Sequence, residues 1–166
     1  MMEHNISEAS EHYTLAANAG EAVWFIGTLA TIKASGALTG KVLSLVEFLH
    51  PPGFSTPLHV HHTEDEAFYI LEGAIKGING DQPWSAEAGA FVWLPRGIPH
   101  GYTVVGDEPV RTLVITIPSG FDQFVREAGD PAPTRTLPPP AELDVERLVA
   151  AATRNGQEIL GPLVLP

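Results

Sequence analysis

Between Glu21 and Ile117 the chain runs as a series of short apolar stretches, each cut off by turn-forming residues. The cuts fall at Pro51-Pro52-Gly53, Glu72-Gly73, Asn79-Gly80-Asp81, Ala88-Gly89, Pro95-Arg96-Gly97 and Gly106-Asp107. Glycine there supplies a positive φ and proline presets one near −65°, so each cut reverses or redirects the chain. The stretches between them are rich in β-branched and aromatic residues and read as strands. Strands are expected over 21–32 (with Gly27 as a bulge), 42–50, 57–62, 66–72, 74–79, 90–94, 100–105 and 110–117. Asn79-Gly80 is a strong hairpin signal. No helical pattern separates the strands, which argues against parallel α/β folds and for an all-β sandwich or barrel.

The pattern changes after Pro118. The segment SGFDQFVREAG predicts a short amphipathic helix with Ser119 as N-cap and Gly129 as its stop. Residues 130–140 form a stiff, proline-rich connector. Residues 141–156 predict a second helix, with Leu143 or Val145, Leu148, Val149 and Ala152 on one face and Gly156 closing it. The apolar tail that follows is expected to dock on the rest. The organisation expected is a flexible segment over 1–20, a β-domain over 21–118, and a helical extension with tail over 119–166.

Composition narrows the function. Twenty acidic against nine basic residues give a formal net charge of −11. Such a surface repels phosphate backbones and anionic lipid, so neither nucleic acid nor membrane is expected as a partner. There is no cysteine, which excludes disulfides, thiolate nucleophiles and cysteine-held metal. Any metal must be held by nitrogen and oxygen. The N-terminus has neither a basic nor an apolar leader region, and the default location is the cytoplasm.

One decapeptide departs from this apolar rhythm. His59-Val60-His61-His62-Thr63-Glu64-Asp65-Glu66-Ala67-Phe68 carries three histidines and three acidic residues at the edge of a strand. Alternate strand residues share a face. His59 and His61 therefore project together and His62 projects away. A carboxylate at the start of the returning strand, Glu66, can face them across the turn. A further nitrogen has to come from another strand, and His100 qualifies because it follows a rigid Pro-Arg-Gly turn into one.

The spacing resembles the two motifs of the cupin superfamily. Gly53, His59, His61, Glu66 and Gly73 match the first, and Gly89, Pro95, Gly97 and His100 match the second. Residues 74–88 separate the two. One departure is Val104, where the family pattern usually has asparagine. The segment PPGFSTPLHVHHTEDEAFYILEG also resembles single-domain bacterial cupins of the quercetin 2,3-dioxygenase-like kind. The resemblance implies an all-β cupin jelly-roll β-barrel with short C-terminal helices. It implies one divalent transition metal ion (iron, manganese, nickel, cobalt, zinc or copper) held by His59, His61, Glu66 and His100. It also implies a homodimer, and a dioxygenase acting on a flavonol or another enolisable or aromatic small-molecule substrate. Glu66 would then serve as catalytic base as well as ligand. A non-redox isomerase, lyase or cyclase, and a non-enzymatic binding protein, are the competing readings.

Other polar residues have plainer expectations. Glu64 and Asp65 read as a solvated turn, with Glu64 a spare carboxylate. His50, beside two prolines, reads as structural, and Arg96 as an exposed turn arginine. Phe68, Phe91, Trp93 and Tyr102 read as core or pocket aromatics.

Overall fold

The computed structural model describes residues 11–166. The polar stretch 1–10, His4 included, lies outside the described residues. Among the described residues, twelve strands and two helices follow one another. The strands are β1 (Glu21–Phe25), β2 (Thr28–Ala34), β3 (Ser44–His50), β4 (Leu58–His61), β5 (Asp65–Glu72) and β6 (Ala74–Asn79). They continue with β7 (Gln82–Glu87), β8 (Phe91–Leu94), β9 (His100–Val105), β10 (Val110–Ile117), β11 (Asp130–Pro131) and β12 (Gln157–Gly161). The helices are α1 (Phe121–Ala128) and α2 (Val145–Arg154).

Two antiparallel sheets form a jelly-roll sandwich. One has the order β11-β1-β2-β3-β10-β5-β8 and the other β12-β4-β9-β6-β7. Strict alternation in β3 and β10 sends Val46, Phe48, Val110 and Val114 inward and their neighbours outward. The two inner faces meet in one apolar core that includes Phe68, Ile70, Ile75, Leu94 and Tyr102. Burial of those faces is the main force holding the sheets together. Both helices close over the end of the sandwich, adding Phe121, Phe124, Val125 and Leu148 to the same core. Among the described residues no helix is long and apolar enough to cross a membrane.

Several local expectations needed correction. The apolar run 21–32 is two strands, not one. Ile26 and Gly27 both have positive φ (42° and 83°), the backbone a tight primed hairpin turn requires. The Asn79-Gly80 hairpin forms, and its second strand is β7, which pairs with β6 from Asn79↔Gln82 to Ala74↔Glu87. That strand escapes a hydrophobicity reading because it is mostly exposed and contains Pro83, tolerated at the edge of a sheet. Gly53, Gly73, Gly89 and Gly97 all adopt positive φ, as turn glycines should.

The first helix is capped by Gly120 rather than Ser119, and Gly129 ends it as expected. The second begins at Val145 behind the Asp144 side chain, which accepts a hydrogen bond from Arg147 N. Its buried face is Leu148, Ala151 and Ala152, whereas Leu143, Val145 and Val149 are exposed. Phe91 and Trp93 face outward on the edge strand β8, while Phe68 and Tyr102 are buried. The stretch after residue 119 enters both sheets: β11 pairs with β1, and β12 pairs with β4.

Candidate metal centre

β4 and β9 lie side by side with His59 directly opposite His100. Alternation along β4 adds His61 to the same face, and β5 returns from the turn carrying Glu66. His59, His61, Glu66 and His100 each offer one ligand atom, all lying within 4.8 Å of one another. His61, Glu66 and His100 are buried and His59 is half-buried. The three imidazole centroids are 4.5 to 5.3 Å apart. The cluster could hold a metal ion.

The hydrogen bonds behind the rings determine which nitrogens face inward. His59 Nδ1 donates to the Pro57 carbonyl at 2.8 Å, His100 Nδ1 to the Ile98 carbonyl at 3.2 Å, and His61 Nδ1 to Glu64 Oε1 at 2.9 Å. With the proton on Nδ1, each Nε2 keeps its lone pair for a ligand. His61 Nε2 is buried with no hydrogen-bond partner. Such an orphaned atom costs about 1–3 kcal/mol, and a coordinated cation removes that cost. His100 Nε2 lies 2.8 Å and His61 Nε2 3.6 Å from Glu66 Oε2. Groups that share one ion at about 2.1 Å sit roughly 3–4 Å apart, so the 3.6 Å separation fits a common cation, and the 2.8 Å contact, a direct hydrogen bond, would open slightly around one.

The electrostatics agree. Burial penalises the charged form of His59, and the neighbouring His100 and His61 add to this, lowering its pKa to about 3. Burial also opposes ionisation of Glu66, but the imidazoles, His61 foremost, outweigh it and hold the carboxyl at about 2. For His61, burial disfavours charge, yet the carboxylates of Glu66 and Glu64 prevail and raise its pKa. At neutral pH the cluster presents an anionic oxygen among imidazole nitrogens, the donor set suited to first-row divalent metals.

The four residues the motif spacing brought forward are thus the four that converge. The rest of the decapeptide divides differently from expectation. Glu64 is not in a solvated turn; it is 2 % exposed and bonded to His61. Asp65 pairs with Arg96 at 2.8 Å, which occupies that arginine in a surface ion pair. His62 is exposed and meets Glu158 at 3.0 Å.

A cavity adjoins the cluster. Its wall includes His59, Glu66, Phe48, Phe54, Phe121 and Phe124, and its free volume is about 40 Å³. That is several times the space of one water. His50 and Tyr102 also line it, with His50 Nε2 accepting from the Tyr102 hydroxyl at 2.8 Å. Sequence reasoning treated His50 as structural and missed this pairing, because β3 and β9 are remote in the chain. Inward alternation on each strand was the available signal.

Comparison with known proteins agrees with this geometry. The family model for the cupin domain matches residues 46–116. Residues 46–116 form a cupin domain. Over 151 residues, 90 % of the chain, it is 26 % identical to quercetin 2,3-dioxygenase of Bacillus subtilis, matching 44 % of that protein. Over 79 residues, 48 % of the chain, it is 32 % identical to an uncharacterised protein of Methanocaldococcus jannaschii, matching 63 % of it. The chain therefore spans less than two thirds of either relative. Among solved structures, KdgF from Halomonas sp. superposes on 67 % of this chain and 98 % of its own, with a TM-score of 0.57 and 16 % identity. That likeness speaks to the cupin fold alone.

Proposed function

We propose that this cupin is a metal-dependent dioxygenase of the quercetinase-like kind, acting on a compact, enolisable small molecule. The observation that carries the reading is the convergence of three imidazoles and one carboxylate beside a mainly apolar cavity that several aromatic rings help to wall. The distant relationship to a protein named quercetin 2,3-dioxygenase supports the choice of reaction. His59, His61, Glu66 and His100 would hold one divalent transition metal, which when bound supplies Lewis acidity and a meeting point for substrate and dioxygen.

The chain's own residues do the rest. Glu66 is ionised throughout the neutral range, so its carboxylate carries no proton of its own and can accept one from a substrate hydroxyl. Phe48, Phe54, Phe121 and Phe124 present rings to a flat substrate and exclude water from the reacting atoms. A free volume of about 40 Å³ is small even for a single ring, so any substrate has to displace the wall, and a 1,3-dicarbonyl or single-ring enol displaces it less than a three-ring flavonol does. The proposal includes a homodimer working in the cytoplasm on small molecules, with no nucleic-acid or membrane partner.

Oxygen uptake by protein loaded in turn with iron, manganese, nickel, cobalt, zinc and copper tests this. A panel of β-dicarbonyls, single-ring enols and flavonols should give uptake matched to substrate loss for at least one metal, with the smaller compounds preferred. No uptake in any combination sinks the reading. Turnover without oxygen would replace it with a non-redox isomerase, lyase or cyclase. Glu66→Gln should lower turnover by roughly 100-fold or more if Glu66 takes the proton.

A further inference from the structure

The three imidazoles differ in what stands behind them. His59 and His100 lean on neutral backbone carbonyls, whereas His61 leans on a carboxylate. That carboxylate, Glu64, is 2 % exposed, and its Oε1 also accepts a hydrogen bond from Gln157 Nε2 at 3.3 Å. Gln157 is itself 3 % exposed and sits on β12, opposite His61 in the pairing of β12 with β4. The other Glu64 oxygen faces the N-terminal end of α1, where a Cβ on Gly120 would come within 3.2 Å. A carboxylate buried this deeply is costly unless a nearby positive charge and full hydrogen bonding compensate it. Its hydrogen bonds lead to the back of one imidazole and to an amide. Arg96, bonded to the neighbouring Thr63 carbonyl, supplies one positive charge near it, and a cation on the far side of that imidazole would supply a second.

We propose that Glu64, clamped by Gln157, is the positioning residue of the metal centre. It fixes the proton on His61 Nδ1, holds the ring's orientation, and makes His61 the strongest of the three imidazole donors. The C-terminal strand therefore takes part in setting metal affinity, although it supplies no ligand. The proposal rests on the metal-binding reading of the cluster and is independent of the reaction performed there.

The test is titration of the metal-free full chain with Co(II) against a competing chelator, with the visible absorption of bound Co(II) recorded alongside. Glu64→Gln keeps the shape and removes the charge, and should weaken Co(II) binding by about 10–100-fold and shift its absorption bands. Gln157→Leu frees Glu64 to turn, and should weaken binding by roughly three- to tenfold. His62→Gln, an exposed neighbour on the other face of the strand, should stay within about twofold. Glu64→Gln binding within twofold of wild type, with unshifted bands, overturns the proposal. If circular dichroism shows Glu64→Gln unfolded, Gln157→Leu decides: weaker binding with shifted bands supports the proposal, and unchanged binding overturns it. Wild-type protein that takes up Co(II) while no metal and substrate combination gives oxygen uptake sinks the dioxygenase reading and leaves this one standing. Wild-type protein that binds no Co(II) overturns this proposal and leaves the dioxygenase reading to the six-metal oxygen assay.

Discussion

His50 and His61 are both fully buried, both on sheet strands, and both close to one cavity, yet they have different uses. His50 has each nitrogen satisfied within the fold: Nδ1 faces the Val110 carbonyl at 3.3 Å and Nε2 accepts from the Tyr102 hydroxyl at 2.8 Å. His61 is satisfied on one side only, and its Nε2 is left facing Glu66 with no hydrogen-bond partner. A buried histidine is therefore no sign of a ligand by itself. At His61 an inward nitrogen with no hydrogen-bond partner is the sign, and it separates this imidazole from the structural one at His50.

That contrast can be broken at four points. The largest effect is expected from His61→Ala, which should lower Co(II) affinity by more than about 100-fold in chelator competition, beyond the usual loss from an outer contact. His50→Leu should retain full metal stoichiometry, and loss of metal there would erase the distinction.

Acid should act on His50 next. Its pKa is lowered by burial to about 4, partly offset by the Val110 carbonyl, against 6.5 for the unperturbed side chain. The folded state thus binds fewer protons than the unfolded one between those values. The stabilisation is complete above pH 6.5 and is lost as pH falls through 4, a range worth roughly 3 kcal/mol. His61, raised by its carboxylates, has the opposite sign: its contribution is present below pH 6.5 and lost as pH rises through its folded value. Urea unfolding of metal-free protein between pH 7 and 4 should show a shallower acid loss for His50→Gln than for wild type.

Tyr102→Phe removes the hydroxyl and leaves His50 Nε2 buried without a donor, so it should cost about 1–3 kcal/mol in the same assay at pH 7. The smallest effect belongs to His62→Gln. Its hydrogen bond with Glu158 is exposed on both sides, and the unfolding free energy should move by less than about 1 kcal/mol.

Much of this was legible in the chain before its structure was known, for physical reasons that can be named. Period-two alternation and turn residues act over a few positions, so the strands and the inward pair His59 and His61 could be read locally. Motif spacing then added Glu66 and His100. What escaped depended on distant partners. Glu64 looks like part of a solvated turn until Gln157, far along the chain, arrives to bury it. Phe91 and Trp93 look like core until the sheet order leaves β8 at an edge. Val149 looks like part of the buried helix face until docking rotates Ala151 inward. The hairpin within 21–32 was obscured because Ile26 is an unusual turn residue and the run around Gly27 stays apolar.

The pairing of β12 with β4 has a consequence for how the protein is made. The strand bearing His59 and His61 pairs from Leu58 to His61 with a strand that lies almost a hundred residues downstream, His62 and Glu158 being 96 positions apart. At about 5–20 residues per second, a ribosome needs roughly 5–20 s to supply it. Through that interval the histidine strand has an open edge, and Glu64 lacks its amide partner. The nascent chain thus passes through a stage in which the two histidines are already synthesised but their mutual geometry is not yet enforced. Fidelity of metal loading would then depend on when the last strand arrives as well as on the ligands themselves.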